Sequence, residues 1–251
     1  AGLDTVAVRF PSNRFAQEFI KACGCPIAAP SANISGRPSP TNAQDVLEDM
    51  QGKIAAVLDG GHCGIGLEST VVDTTEPVPV ILRPGGVTYE MLTEVLGAVE
   101  IDPALHGDKN FKPKAPGMKY RHYAPEAPVY LLEGEAALQL PALVKKGLAA
   151  GLKVGVLCGE AMQGRLLPHQ NLQLSCWGNS REQLAADLFE LLRRFDRTQP
   201  DVILAEGVRE DGIGLAIMNR MRKAAGYQSI IVKNGMLMLK NDAQLPAFMI
   251  Q

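Results

Sequence analysis

The sequence predicts an α/β protein in two parts: an α+β first half, then a doubly wound, Rossmann-like parallel α/β second half. Three observations predict this. Up to Gly97, strand-like and helix-like stretches mix without strict alternation. From Val129 onward, short apolar strands alternate with amphipathic helices over short links, the pattern of parallel crossover units. Between them, Gly97 to Pro128 holds five prolines with clustered basic and aromatic residues and no apolar period, which reads as a linker or extended lid. The expected organisation is therefore 1–97, a linker over 98–127, and 128–251.

Taken in order, Thr5 to Pro11 (TVAVRFP) reads as a strand stopped by proline. Asn13 to Gly24 has helical periodicity, with Phe15, Phe19, Ile20 and Cys23 on one face and Gly24 as the stop. Ile27 to Ala29 is a short apolar strand running into the turn-rich loop from Pro30 to Thr41. Thr41 or Asn42 can cap the next helix, which ends near Gly52. Ile54 to Leu58, Ser69 to Asp73 and Val78 to Leu82 read as strands, and Tyr89 to Leu96 as a helix closed by Gly97. In the second half the strands are Val129–Leu132, Lys153–Leu157, Leu172–Cys176, Asp201–Ala205 and Ser229–Val232. The helices are Glu135–Ala150, a short one near Glu160–Leu167, Ser180–Arg194 and Leu215–Ala225.

Composition excludes several classes. The chain has 251 residues, 46% hydrophobic and 21% charged, which suffices for packed cores. Its formal net charge of −2 offers no global basic field for nucleic acid or an anionic membrane, so any RNA or nucleotide contact must rest on a local patch. Apolar stretches fall well short of the roughly 20 residues that span a bilayer. No signal-peptide pattern opens the chain, and the five cysteines form no CxxC pair. Together these point to reduced thiols and a cytoplasmic location. Cys23-Gly-Cys25 has the wrong spacing for a zinc knuckle, and the four histidines form no HxH or HExxH group, so no metal ligand is assigned.

Five features could carry chemistry. The loop Ser31-Ala32-Asn33-Ile34-Ser35-Gly36-Arg37-Pro38 sets hydroxyls, an amide and a guanidinium beside glycine, suited to an anion. It is equally a polar connection full of turn formers. Gly64-Ile65-Gly66-Leu67-Glu68-Ser69-Thr70 is glycine-rich before a strand, the reverse of the phosphate-binding fingerprints, yet presents hydroxyls at a strand start. Arg9 and Arg83 interrupt or end apolar strands, which places each at a sheet edge or against something anionic. Lys114 to Pro125 packs basic groups and two tyrosines between prolines, as a solvated linker or as a lid over a nucleotide. The Gly212-Ile213-Gly214 entry to a helix can bind an anion or simply allow tight packing. No spacing supports a Ser-His-Asp arrangement or a carboxylate pair, so no covalent catalytic residue is assigned.

The segments APSANISGRPSPT, GIGLESTVVD, VILRPGGVT, APGMKYRHYAP and GIGLAIMNRMRKAAG resemble the two-domain form of the YrdC-type threonylcarbamoyl-AMP synthases, over nearly the whole chain to about Val232. The linker run is the most specific, since single-domain members lack it. The resemblance implies part of a YrdC-like twisted-sheet catalytic domain, then a Rossmann-like domain. It implies condensation of L-threonine with bicarbonate and adenylation by ATP, with Mg²⁺ accompanying the nucleotide and pyrophosphate released. The product would feed a downstream transferase that modifies tRNA. Carried over, Thr5, Ser31, Ser39, Arg83, His122 and Tyr123 would contact ATP, while Arg9, the Ala29 backbone and Ser69 would hold threonine. The family's opening PT-x-T-x-YGL-like segment has no counterpart before Thr5, so either the chain is a fragment or another chain supplies that part, and little activity and poor stability are expected of this polypeptide alone. The alternative is a non-catalytic nucleotide- or double-stranded-RNA-binding module of the same fold. A related hydrogenase maturation factor would show zinc-finger cysteine pairs, and this chain has none. Gating of the site by the linker is a further expectation.

Overall fold

The computed structural model describes residues 4–106 and 123–250. In the first half, helix α1 (Arg14–Cys23) is capped by the Asn13 side chain and closed by Gly24 in the left-handed conformation. Helix α2 (Ala43–Met50) is capped by Asn42 rather than Thr41. Strands β1 (Val71–Asp73) and β2 (Val80–Arg83) pair antiparallel, followed by α3 (Tyr89–Leu96) under a Thr88 cap. Strand β3 (Glu100–Ile101) then adds parallel to β2, inside the stretch read as linker.

Three expected strands are absent. Thr5–Pro11, Ile27–Ala29 and Ile54–Leu58 have no regular structure. A strand persists only where a neighbour takes up its backbone hydrogen bonds. The first-half sheet, ordered β1-β2-β3 among the described residues, pairs with none of the three. Val6, Val8 and Phe10 are accordingly exposed, and the local core is the small set Ile81, Val99 and Leu105.

The second half is the parallel layer that alternation predicted. Its strands are β4 (Val129–Leu132), β5 (Val154–Cys158), β6 (Leu172–Cys176), β7 (Val202–Glu206) and β8 (Ser229–Lys233), with β9 (Met236–Leu239) added antiparallel at one edge. The order is β6-β5-β7-β4-β8-β9. The helices are α4 (Leu140–Ala149), α5 (Glu160–Gln163), α6 (Arg181–Thr198) and α7 (Gly214–Ala224), with α8 (Ala247–Ile250) near the end. From β4 to β5 to β6 the chain steps toward one edge, and from β6 to β7 and β7 to β8 toward the other. Crossovers of one hand therefore put α4 and α5 on one face and α6 and α7 on the opposite face. The strands bury completely apolar runs between them, Leu131, Leu132, Val156, Leu157, Ile203 and Leu204 among others.

Two boundaries shift for local reasons. The helix expected from Glu135 begins as a 3₁₀ turn (Gly134–Gln139) and becomes α-helical only at Leu140. Pro141 has no N–H and its ring would strike a preceding carbonyl, so it tolerates only a first turn. Helix α6 runs four residues past the expected Arg194, to Thr198. It opens on a Ser180–Gln183 capping box and closes on left-handed Gln199.

Candidate functional site

The site lies where α7 of the second half meets the loop before β1. Glu68 organises it. Its Oε1 accepts the Ser39 hydroxyl at 2.8 Å and its Oε2 accepts Arg220 Nε at 2.7 Å. Arg220 also donates through Nη2 to the Pro84 carbonyl at 3.0 Å and through Nη1 to Asn219 Oδ1 at 2.9 Å. Arg83 donates its Nε to the Ser69 carbonyl at 3.0 Å, tying the end of β2 to the same loop. Tyr123 lies under the Arg220 guanidinium, 5.9 Å from ring centroid to Cζ, and stacks on Phe189 of α6 at 4.8 Å. Lys223 sits one turn beyond Arg220 on α7, also buried.

Glycines make this approach possible. A Cβ on Gly66 would collide with the carbonyls of Ala185 and Ala186 in α6, and one on Gly85 with the backbone of Glu68 to Thr70. The Gly64–Gly66 run thus serves backbone packing across the two halves, and Gly66 N–H donates to Ala185 O at 3.0 Å. The Gly212–Gly214 entry resolves the same way: a Cβ on Gly214 would meet the Arg209 carbonyl, and Gly212 N–H donates to Glu90 Oε1 at 3.0 Å. The loops after β4 and β7 are tied together by a further partly buried charge. There Arg222 bridges Glu133 at 2.7 Å and Glu210 at 2.6 Å.

The electrostatics are those of crowded like charges. Burial, and then the neighbouring Arg220, lower the pKa of Arg83. Burial and Arg220 likewise push the Lys223 ammonium down to about 8. Burial would raise the Glu68 carboxyl, but the Arg220 charge and hydrogen bond outweigh it and hold Glu68 below the usual range. The Tyr123 phenol is pushed up to about 12, by burial and then by the Glu68 charge, so it stays a neutral donor. Such a cluster favours binding an anion, which would relieve the repulsion among Arg83, Arg220 and Lys223.

Of the residues expected to bind ligands, Ser39, Ser69, Arg83 and Tyr123 are brought together here. Thr5, Arg9, Ala29 and Ser31 lie on exposed irregular segments, with Arg9 close enough to act electrostatically on Arg83. His122 lies outside the described residues. The loop from Ser31 to Pro38 is held from behind. Asp49 of α2 accepts Ile34 N–H at 3.2 Å, Arg37 Nη1 at 2.9 Å and Arg193 Nη2 of α6 at 2.8 Å, and Arg193 Nη2 also donates to the Pro38 carbonyl at 2.6 Å. Sequence reasoning missed Glu68 as an anchor, and Arg220, Lys223 and Arg193 altogether. One signal was present: Arg220 falls at helical spacing from Ile217 and Ala224, on the apolar face of α7, where a lone arginine must find a buried partner.

No helix among the described residues is long and apolar enough to cross a membrane. Residues 87–226 match the family described as threonylcarbamoyl-AMP synthase, C-terminal domain, and residues 1–85 match the family described as telomere recombination. The chain is 49% identical over 234 residues to a threonylcarbamoyl-AMP synthase of Pyrococcus abyssi, covering 92% of this chain and 67% of that one. With the Bacillus subtilis threonylcarbamoyl-AMP synthase it shares 46% identity, over 92% of this chain and 66% of the relative. It thus spans about two thirds of the length of these relatives. A crystal structure of P. abyssi Sua5 complexed with L-threonine superposes with a TM-score of 0.84 at 49% identity, covering 92% of this chain and 67% of that one.

Proposed function

We propose that this chain, which belongs to the threonylcarbamoyl-AMP synthase family, serves the synthesis of L-threonylcarbamoyladenylate from L-threonine, bicarbonate and ATP. The observation that carries the reading is the convergence of Ser39, Arg83 and Tyr123 on one buried, positively crowded cluster at Glu68, with the exposed Ser69 joined to it through its backbone carbonyl. On this reading the first half, which β3 and the buried Leu105 extend beyond the expected boundary at 97, is the C-terminal part of the catalytic domain, a linker follows it, and 128–251 is the Rossmann-like domain.

The chemistry asks little of the protein by way of covalent participation. Threonine's amino nitrogen bonds to the bicarbonate carbon as a C–O bond breaks and water leaves, which gives a carbamate. A carbamate oxygen then attacks the α-phosphorus of ATP, forming an O–P bond as the bond to pyrophosphate breaks. The protein must hold an anionic nucleophile and a triphosphate in line and oppose the charge that builds on the leaving group. Arg83, with Arg220 and Lys223 behind it, supplies that positive potential, and Ser39 and Ser31 supply hydroxyls for the nucleotide. Arg9, the Ala29 backbone and Ser69 face the threonine moiety, and His122 and Tyr123 cover ATP. Both Glu68 oxygens are already engaged by Ser39 and Arg220. The cluster therefore offers no carboxylate cage, and Mg²⁺ arrives as part of the MgATP substrate, through phosphate oxygens. The adenylate product is reactive, and its consumer is a transferase acting on tRNA.

The test is pyrophosphate release from ATP, with threonine and bicarbonate each omitted in turn, for the parent chain and Arg83→Met. The reading expects slow release that needs all three substrates and falls at least about tenfold in the variant, the loss of one charge-assisted contact of about 1.4 kcal/mol or more. Salt-sensitive RNA binding with no nucleotide binding would favour the binding-module alternative instead.

A further inference from the structure

Along α6 from Arg193, a second group of side chains has no place in that reading. His62, Asp187 and Glu190 bring one potential ligand atom each within 4.8 Å of one another. We propose that these three residues hold a divalent transition-metal ion of the Zn²⁺ class, which clips the 59–63 loop of the first half onto α6 of the second.

His62 is set up as a nitrogen ligand. Its Nδ1 lies 3.0 Å from the Cys63 carbonyl. A carbonyl only accepts, so Nδ1 carries the proton, and Nε2 is the ring nitrogen turned toward α6. A backbone carbonyl on the other ring nitrogen is the usual means of orienting a metal-binding histidine. The loop is itself pinned, with Cys63 N–H donating to Thr41 O at 3.0 Å and Gly61 N–H to Asp59 Oδ1 at 2.9 Å.

The carboxylates come from one helical face, since positions three apart are neighbours. Glu190 gives Oε1 to Arg194 at 2.7 Å, which leaves Oε2 turned to His62 Nε2 at 3.5 Å. Asp187 is half-buried and makes no hydrogen bond or ion pair among the described residues. Two carboxylates and one imidazole nitrogen thus converge on one point, a donor set that a dication can take.

Size and chemistry agree. Bonds of about 2.0–2.2 Å in tetrahedral geometry put ligand atoms roughly 3.3 Å apart. His62 and Glu190 are already near that separation, and the trio must close by about 1.5 Å, within reach of a 44% exposed imidazole side chain. One nitrogen and two oxygens suit Zn²⁺, Co²⁺ or Mn²⁺, whereas Mg²⁺ and Ca²⁺ ask for oxygen alone. Three protein ligands leave a position for water. Sequence spacing gives no hint of the site, because its ligands lie in different halves of the chain.

The test takes the chelator-stripped chain and titrates it with Zn²⁺, then Co²⁺, by calorimetry and absorption, beside Asp187→Asn and His62→Ala. Asp187→Asn leaves the His62–Glu190 contact intact, so it removes a ligand without unfastening the loop. The proposal expects one ion per chain and an upward Tm shift of about 5–10 °C at free zinc near 100-fold over Kd. It expects both variants to lose these while keeping the parent's Tm in chelator to within about 2 °C. The Co²⁺ spectrum should lack a thiolate charge-transfer band. No binding by the parent, binding retained in Asp187→Asn, or a thiolate band that moves the ion to the cysteines would each overturn it.

Discussion

Replacing Arg220 with methionine should uncouple the two halves. Arg220 belongs to the second half and is fully buried, while Glu68 and Pro84, which it joins, belong to the first. Methionine fills much of the same volume but leaves the Glu68 carboxylate without its partner and the Pro84 carbonyl without its donor. Removing one member of a buried pair costs about 3–5 kcal/mol, because the remaining charge stays desolvated. At about 2–4 °C per kcal/mol for a chain of this size, Tm should fall by roughly 6–20 °C. Urea unfolding followed by far-UV circular dichroism and by Trp177 fluorescence measures this. Trp177 is the single tryptophan and sits in the second half, so the two signals should separate in the variant. A double-mutant cycle with Glu68→Gln should give a coupling of at least about 2 kcal/mol. Single losses that add to within about 0.5 kcal/mol would refute the pairing as the fastener.

Three further outcomes follow from the same geometry. Lys223 has a folded pKa lowered from 10.5 to about 8, so the unfolded chain holds the proton more tightly and stability should rise with pH between about 8 and 10. The effect is on the order of 3 kcal/mol, and pH-resolved urea melts should show it in the parent but not in Lys223→Met. Asp49 is held below 3.8: burial would raise it, but hydrogen bonds from Arg193 and Arg37 prevail. Its contribution is present above that value and lost as pH falls through the lowered one, and Asp49→Asn should cost about 3–5 kcal/mol at pH 7 with a flatter acid limb. Gly66→Ala must push the loop off the α6 carbonyls, so its urea midpoint should drop by the equivalent of about 1–3 kcal/mol or more.

Much of the second half was legible because each element satisfies a local rule. The Ser180 start of α6 and the apolar runs of β4, β5 and β7 can be read from a few neighbouring residues, whereas the break at Pro141 was read through as continuous helix. In the first half, alternation at Val6, Val8 and Phe10 was a correct local signal for a strand, but pairing is a property of the neighbour, which sequence does not show. The site divides similarly. Ser69 and Arg83 stood out as polar residues at strand ends, and Ser39 entered through the family resemblance. Glu68, Arg220, Lys223 and Asp49 did not, because their roles exist only once α6 and α7 pack on the first half. The glycine-rich runs left two readings open for a related reason. Glycine marks a close backbone approach, and only the structure shows that the approaching group is α6 or Arg209 rather than a phosphate.

The central claim is that ATP seats on the cluster around Arg83 and Tyr123. The most direct measurement is the affinity of the chain for a non-hydrolysable ATP analogue, by calorimetry at fixed salt, beside Arg83→Met and Tyr123→Leu. The account predicts that each variant weakens binding at least about tenfold, equivalent to roughly 1.4 kcal/mol, with threonine affinity changed less in Tyr123→Leu. Equal affinity for the analogue in all three proteins would contradict it.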